Sequence, residues 1–549
     1  MKNKNIYWDL DEDLISSPLI REIIFNIKKS NRKAFCNWIK DISKKHSKDI
    51  DWWLTIPSSR NPYLSDLYSS ICILETIERL IKKKYFLKIT TSSYALYEII
   101  KKRSISRKNY LEINFIKKKS NLKYFYVPKA ILFYFFIFFY IKIFIKKKIL
   151  QPEIKKTLVE SFSLYPSNNK ENFNKNIFKV NSKNLFLVPS FLIQKNIFLL
   201  IKTIGKTDMS KHVFKEHYLT LNDCIFSFLH FIRKKKFIAK FKKFKSWDLS
   251  PIVNKEIKSN KNFYSAIIGI LNYRFFKRLQ EKNIFLKKTI SLFENQAVGR
   301  GWNLGSRTFF PNIENLGYQG YINFSQFLNS IPCQFEEEAK ILPNKIAVIN
   351  KIFKNNKKEF FSKIQVTSAP ALNFKFDTKK IRKNYSDEFI LILTGIKKID
   401  QKLIEWSVKF LKNNRNIKLI IKFHPILPHK SFDILSIKNL KEQISFSNED
   451  ISSLLNRSLL VVSTGPTSAI YEALIKGCYL MIPVFDPWDQ LNIENCKIPK
   501  ENYDLVYNFQ EFSFNLKNMI KNKKKIKLKN VKKKFFFEQI NKKNMKIFH

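Results

Sequence analysis

Four apolar runs between residues 389 and 484 decide the fold. They lie in FILILTG (389–395), IKLIIKFHP (417–425) and LLVVSTGPTSAIYEALIKGCYLMIPV (459–484). The runs at 389–393, 417–421, 459–462 and 479–484 have the length of strands, whereas 399–411 and 469–476 have the pattern of helices. Gly477 follows the second of these helices at the position of a C-cap. Continuous apolar strands that alternate with helices predict a parallel sheet covered on both faces, and therefore an α/β fold.

Polar residues follow three of these strands, at the edge where open α/β sheets bind ligands. A loop with glycine and hydroxyl groups that opens into a helix offers N–H groups and a helix dipole to a phosphate. A histidine there can protonate or hydrogen-bond a leaving phosphate near neutral pH. The predicted site residues are Thr394, Gly395, Lys422, His424, Ser463, Thr464, Gly465, Thr467 and Ser468. Each motif taken alone also has a structural interpretation, because hydroxyls before a helix commonly cap it.

Glu472 lies on the helix after the loop 463–468 and has two interpretations. Its carboxylate could accept hydrogen bonds from the ribose hydroxyls of a nucleotide. It could equally satisfy neighbouring backbone groups or a surface lysine. The sequence leaves both open.

Glycine is scarce, and five of the ten glycines fall between residues 299 and 320. We interpret 299–320 as a glycine-rich loop whose glycines serve positive φ angles or the close approach of a ligand. Glu294 follows a predicted strand at 289–293 and faces this loop. It is our candidate for a catalytic carboxylate, and Arg300 and Arg307 are acceptor-side candidates. The alternative is a structural carboxylate that pairs with either arginine.

Composition restricts the class of protein. Lys and Arg total 101 against 45 acidic residues, a net charge of +56. Such a charge attracts anionic membranes, nucleotides or nucleic acids. However, no nucleic-acid-binding module is recognisable, so we do not expect a nucleic-acid partner. The six cysteines have no metal-site spacing and are expected to be reduced thiols. We predict no metal site and no bound cofactor.

An apolar segment at 126–150 contains AILFYFFIFFYI (130–141), with lysines on both sides. The run is shorter than the roughly 20 apolar residues that a spanning helix needs. Its aromatic and basic composition favours a position in the membrane interface. A core helix is the alternative. The N-terminus has no apolar signal region, so we expect a cytoplasmic protein.

The motif KFHP (422–425), followed by STGPTSAIYEALIKGCYLMIP (463–483), resembles the C-terminal half of two-domain GT-B glycosyltransferases. The similarity is greatest to bacterial transferases that use CMP-activated sialic acid or 3-deoxy-octulosonate, and CDP-glycerol glycerophosphotransferases are also similar. The whole chain, including WW (52–53), SRNP (59–62) and FENQ (293–296), resembles a family of surface-carbohydrate biosynthesis proteins.

This resemblance implies roles for the residues above. His424 would contact the CMP phosphate and assist its departure. Ser463, Thr464, Thr467 and Ser468 would hold the same phosphate. A carboxylate of the N-terminal half, for which Glu294 is the candidate, would remove the proton of the acceptor hydroxyl. The Asp/Glu-Asp/Glu-Gly base motif of sialyltransferases is missing from this sequence.

We therefore expect a GT-B-like α/β protein with two Rossmann-like halves, the N-terminal half elaborated by helices. The expected segments are an α/β and helical region (1–125), an interfacial segment (126–150), the rest of the acceptor-side half (151–335), a nucleotide-sugar domain (336–510) and a basic tail (511–549). The expected partners are a CMP-sugar, a glycan or lipid-linked acceptor, and the anionic cytoplasmic face of the membrane. A CDP-dependent polyol-phosphate transferase and an inactive glycosyltransferase-like scaffold remain alternatives.

Overall fold

A computed structural model gives the conformation of most of the chain. It describes residues 5–11, 17–105, 110–117, 126–147, 150, 153–163, 184–191, 197–208, 210–322, 324, 326–349, 354, 359–372, 387–425, 427, 432, 440–465, 467–494, 498–522 and 545–548. Most of the predicted basic tail, residues 523–544, lies outside the described residues.

The first region is a small parallel sheet surrounded by helices. Its strands are β1 (Asn5–Asp9), β2 (Phe86–Thr91) and β3 (Leu111–Phe115), in the order β1-β2-β3. Its helices are α1 (Pro18–Ser30), α2 (Arg32–Ser43), α3 (Ile50–Trp53), α4 (Ile56–Ser59), α5 (Leu67–Lys82) and α6 (Tyr94–Ile105). Trp52 and Trp53 of the quoted WW motif are buried in its core.

The second region is a six-stranded parallel sheet. Its strands are β4 (Lys156–Ser163), β5 (Leu185–Phe191), β6 (Leu286–Leu292), β7 (Glu314–Gln319), β8 (Lys345–Val348) and β9 (Gln365–Ser368), in the order β5-β4-β6-β7-β8-β9. Its helices are α7 (Tyr126–Phe144), α8 (Ile197–Gly205), α9 (Leu221–Phe228), α10 (His230–Arg233), α11 (Ser250–Lys258), α12 (Phe263–Glu281), α13 (Ala297–Phe309) and α14 (Gln334–Glu338). The strand predicted at 289–293 is present as β6.

The third region is a second six-stranded parallel sheet. Its strands are β10 (Glu388–Ile392), β11 (Lys418–Lys422), β12 (Ile444–Phe446), β13 (Leu460–Val462), β14 (Tyr479–Pro483) and β15 (Tyr503–Val506), in the order β12-β11-β10-β13-β14-β15. Its helices are α15 (Lys397–Lys412), α16 (Ile451–Arg457), α17 (Ala469–Ile475), α18 (Pro487–Glu494) and α19 (Phe509–Asn522). All four predicted strands are present in this sheet. The two six-stranded sheets confirm the predicted α/β class with two Rossmann-like halves.

The glycines between 299 and 320 do not form a loop, which corrects the prediction. Gly301 and Gly305 lie inside α13, which packs closely against α12. A Cβ on Gly301 would overlap the carbonyl group of Gly269 on α12, and a Cβ on Gly305 would lie 2.8 Å from Tyr273 Cα. Gly317 lies within β7. These glycines therefore allow two helix backbones and a strand to approach their neighbours, and none of the three has a positive φ angle.

The carboxyl edges of the two large sheets face each other. The segment after β7 brings Phe324 to within 6.0 Å of the Tyr471 ring on α17. In the same segment, the Gln326 amide oxygen accepts a hydrogen bond of 2.9 Å from Asn492 on α18. Phe548, at the other end of the chain, packs against Tyr318 of β7. The loops that follow the strands of one half therefore contact the helices that follow the strands of the other.

Cys36 and Cys333 form a disulfide that joins α2 to the segment before α14. The expectation of reduced thiols is therefore wrong for this pair. Among the described residues, Cys72, Cys224 and Cys478 are buried thiols outside any disulfide.

Candidate functional site

The turn between β10 and α15 brings the ends of β10 and β11 together. Gly395 has a φ of +87°, and a Cβ at this position would lie 2.7 Å from Nδ1 of His424. His424 is partly buried two residues beyond β11. Only glycine fits here, because a side chain would meet the imidazole and would also be strained at this φ. The imidazole of His424 therefore lies directly against the Thr394-Gly395 turn.

The loop after β13 reaches the same turn from the other side. Gly465 has a φ of +69°, and a Cβ there would lie 3.6 Å from Thr394 Cγ2 and 3.8 Å from Asp489 Oδ1. The ends of β11, β10 and β13 and the segment after β14 thus meet in one place. The predicted site residues that follow these strands are gathered at this edge.

Several of the predicted phosphate donors are already engaged within the protein. Ser463 donates to the carbonyl oxygen of Ile392 at 2.8 Å, and Thr464 donates to that of Pro483. Both residues are fully buried. Their hydroxyls connect neighbouring strands, so the predicted role of phosphate donor is corrected to a structural one.

Asp400 uses the polar groups of the first turn in the same way. Its carboxylate accepts the backbone N–H groups of Thr394 (2.6 Å) and Gly395 (2.9 Å) and the hydroxyl of Thr394 (2.8 Å). The Lys422 ammonium donates to the carbonyl oxygen of Glu449 at 2.6 Å. The Thr394-Gly395 turn therefore shapes the site without offering these donors to a ligand.

The side chains of Ser468 and Glu472 are left with unused hydrogen-bonding capacity. Ser468 is partly exposed at the N-cap of α17, and its side chain makes no capping hydrogen bond. Glu472 is half-buried, and its carboxylate has no hydrogen-bond partner among the described residues. Burial, followed by the charge of Asp450, raises the pKa of Glu472 to about 7. The charge of Lys476, one helical turn further on at the C-cap of α17, acts in the opposite direction and lowers the pKa of Glu472, so the alternative in which Glu472 interacts with a lysine stays open.

The environment of His424 favours the neutral imidazole. Burial lowers its pKa below the ordinary value of 6.5. A neutral imidazole still carries one N–H donor. An anionic phosphate next to the ring would favour protonation and raise this pKa.

Glu294 lies at the carboxyl edge of the sheet β4–β9, two residues beyond the end of β6. Its side chain is exposed, yet the surrounding atoms are dense enough to raise its pKa by desolvation. The Gln296 amide donates to its carboxylate at 2.6 Å. The alternative in which Glu294 pairs with Arg300 or Arg307 is wrong, because both arginines bind other groups.

Arg300 and Arg307 are structural, which corrects their prediction as acceptor-side residues. Arg300 is buried and binds Glu336 at 2.8 Å, and its remaining donors bind Asn295, Ser58 and the carbonyl oxygen of Trp53. Arg307 donates to the carbonyl oxygens of Glu337 and Leu342.

Sequence reasoning missed two carboxylates, Glu336 and Asp489. Glu336 binds both Arg300 and Arg60 of the SRNP motif, at 2.8 and 2.6 Å, and all three side chains are buried. Asp489 lies beside Gly465 and accepts the N–H groups of Phe485 and Asp486. Burial raises the pKa of Asp489 to about 7. Its position after the fourth predicted strand was a usable signal, whereas nothing local marked Glu336.

Comparison with known proteins defines the class only at the level of fold. No protein-family model matches the sequence, and no curated protein matches it. The chain is similar to the glycotransferase of kitacinnamycin (7% identity, 68% of this chain and 92% of the other, TM-score 0.40). It is also similar to Medicago truncatula UGT71G1 complexed with UDP-glucose (9%, 72% and 93%, TM-score 0.39). A third similar structure is a mutant of S. aureus TarM in complex with fondaparinux, alpha-GlcNAc-glycerol and UDP (13%, 67% and 93%, TM-score 0.36).

These likenesses are too weak to carry a conclusion about activity. The two six-stranded parallel sheets define the class, which is an α/β protein with two Rossmann-like halves.

Proposed function

We propose that this chain is a glycosyltransferase of surface-carbohydrate synthesis. The C-terminal half binds a CMP-activated sugar and the N-terminal half binds a glycan or lipid-linked acceptor. The supporting observation is that His424 and Gly465 lie on opposite sides of the Thr394-Gly395 turn. An imidazole donor and the loop 463–468 are thus positioned to contact one ligand at the edge that faces the N-terminal half.

The nucleotide occupies this edge with its phosphate between His424 and Ser468. Glu472 accepts hydrogen bonds from the ribose hydroxyls, which accounts for a carboxylate that has no hydrogen-bond partner among the described residues. The site leaves Ser463 and Thr464 out of direct contact, because their hydroxyls hold the strands. Thr467 supports the loop, since its hydroxyl oxygen accepts the Ala469 N–H at 3.4 Å.

Transfer then uses one group from each half. The acceptor hydroxyl oxygen attacks the anomeric carbon, and its proton passes to the Glu294 carboxylate. The raised pKa of Glu294 makes it a stronger base than a carboxylate of ordinary pKa. The bond to the phosphate oxygen breaks and its electron pair stays with the nucleotide. The N–H of His424 stabilises the charge that grows there, more strongly in the transition state than in the ground state.

The acceptor is presented at the cytoplasmic face of the membrane, where the protein is peripheral or monotopic. The helix α7 supports this part of the proposal. It is the single helix of the described residues that is long and apolar enough to cross a membrane, and 33% of its most apolar window is buried.

A nucleotide screen tests the proposal. CMP or CDP should raise the melting temperature of the purified protein, because a ligand that binds only the folded state stabilises it. Greater stabilisation by UDP or GDP would contradict a CMP-sugar donor but would still support a nucleotide site in the C-terminal half. Failure of all four nucleotides to bind would favour the inactive scaffold. Preference for CDP over CMP, with transfer of a polyol phosphate, would favour the polyol-phosphate transferase.

A further inference from the structure

Four helices beside the sheet β4–β9 carry exposed apolar stripes, of which the sequence indicated only the one on α7. Leu221 and Ile225 of α9, Leu229 at the junction and Ile232 of α10 are exposed by 47, 44, 42 and 50%. Their spacings of four, four and three residues place them on one helical face. The opposite face of these helices is buried in the core, through Cys224 and Phe228.

Helix α7 carries a second apolar stripe beside the first. Leu132, Phe136, Phe139 and Ile143 are exposed at spacings of four, three and four residues. The inner side of α7 is buried in the core that also contains Phe228. The rings of Phe135 and Phe228 are 4.8 Å apart, so α7 and α9 are neighbours.

Helix α8 extends the surface on the other side of α7. Phe198 is exposed by 78% and Leu199 by 39%. The end of α8 meets α7, because a Cβ on Gly205 would lie 4.0 Å from the Tyr140 hydroxyl oxygen. Apolar surfaces of this extent mark an interaction site rather than ordinary solvent exposure.

Positive charges predominate around this surface, although the exposed Asp208 follows α8 and lies 3.9 Å from Lys211. The four helices contain a single acidic residue, Asp223, which is buried and paired with Arg278. Exposed lysines surround the apolar stripes, namely Lys129, Lys142, Lys146, Lys202, Lys206 and Lys235. A second copy of the chain would place lysines opposite lysines, whereas an anionic lipid surface would neutralise them.

We infer that α7, α8, α9 and α10 form a monotopic docking surface for an anionic phospholipid bilayer. The four helices lie with their outer stripes among the acyl chains and their lysines at the headgroups. Helix α7 does not cross the bilayer, because its inner side is covered by protein. This inference deepens the membrane part of the proposed function and assigns α8, α9 and α10 to it.

Vesicle flotation of the full chain tests the surface. Binding to vesicles of phosphatidylcholine with phosphatidylglycerol should exceed binding to phosphatidylcholine alone, and salt should weaken the difference. The double variant Ile225→Ser/Ile232→Ser should bind about tenfold more weakly. It removes from the lipid contact the exposed apolar area of two isoleucine side chains, each of which is about half exposed. The matched control is Ile105→Ser/Phe514→Ser on α6 and α19, whose side chains are also exposed. It should bind like the wild type.

A charge-reversal variant provides a second, independent test. Lys202→Glu/Lys206→Glu should lose the preference for phosphatidylglycerol while retaining the melting temperature. Unaltered flotation of the Ile225/Ile232 double variant would overturn the inference. A wild-type dimer in solution that this double variant dissociates would overturn it in favour of a second copy. The nucleotide screen needs no vesicles, so failure of the docking surface and failure of the proposed function are distinguishable.

Discussion

Arg60, Glu336 and Arg300 of the N-terminal half form a buried, internally paired cluster. At the carboxyl edge of the C-terminal sheet, by contrast, Glu472 has no hydrogen-bond partner among the described residues, and Ser468 makes no capping bond. Charged groups that satisfy one another stabilise the fold, whereas groups left without protein partners in a crevice are available to a ligand. Residue type alone would have assigned a function to the buried cluster as well as to Glu472 and Ser468. The two groups differ in how many of their polar atoms are paired within the protein.

The largest effect is expected from Glu336→Ala. Two buried guanidinium groups would lose their carboxylate, which typically costs about 3–5 kcal/mol. Denaturant unfolding measures the loss, and activity should follow the folded fraction. Glu338→Ala on the same helix removes an exposed carboxylate and should change stability by no more than about 0.5 kcal/mol. Equal stabilities of the two variants would show that the cluster is not structural.

The matching change in the C-terminal half is His424→Ala. Turnover should fall by about 10²–10⁴-fold, the range for a positioned acid or hydrogen-bond donor. The melting temperature should change little, because the ring lies in a crevice rather than in the core. Both quantities are to be measured on the same purified variant. A folded variant with full transferase activity would remove His424 from the mechanism.

Gly301→Ala tests the corrected interpretation of the glycine-rich stretch. The added methyl group would overlap the backbone of Gly269, which cannot rotate away as a side chain can. We expect a loss of about 1–3 kcal/mol in the free energy of unfolding. Gly299→Ala is the control, since its Cβ would have 3.7 Å to the nearest atom and alanine favours the helix. If Gly301 instead contacts a ligand, the variant will keep its stability and lose substrate binding.

Glu472→Gln should alter how stability depends on pH. The folded wild type keeps the Glu472 proton up to about pH 7, whereas the unfolded chain loses it near pH 4.5. Wild-type stability therefore falls as pH rises through this window. Glutamine stays neutral, so the variant should match the wild type near pH 4. At pH 8 it should be more stable by about 1–2 kcal/mol, a value reduced for partial exposure. Identical pH profiles would mean that Glu472 ionises normally.

The smallest effect is expected from Ser468→Ala. It should weaken CMP binding by about 0.5–1.5 kcal/mol, the net contribution of one hydrogen bond, with little change in stability. Ser463→Ala should do the reverse, because its hydroxyl serves the carbonyl oxygen of Ile392. Isothermal titration together with thermal unfolding separates the two. If CMP binding weakens in Ser463→Ala and not in Ser468→Ala, Ser463 is the ligand-binding residue and Ser468 is not.

Much of the C-terminal half could be predicted because its signals are local. An apolar strand such as β10 and an amphipathic helix such as α15 each show their period within one short window. The sequence also placed Gly395 at the turn after β10 and Gly477 at the end of α17. Both glycines have the positive φ angles that such positions require. The gathering of the predicted loops at one edge follows from the parallel order of the strands.

The sequence by itself determined the α/β class, the strands of the C-terminal sheet and the set of polar residues at their ends. Only the tertiary structure decided which of those residues use their hydrogen-bonding groups within the protein, because the partners of Ser463 and Thr464 come from other strands. It also decided that Gly301 serves helix packing, through contact with Gly269 some thirty residues earlier. Arg300 belongs to a buried cluster for the same reason: Glu336 and Trp53 reach it from distant parts of the chain. Pairing of this kind depends on long-range contacts, and a local pattern of residue types does not contain them.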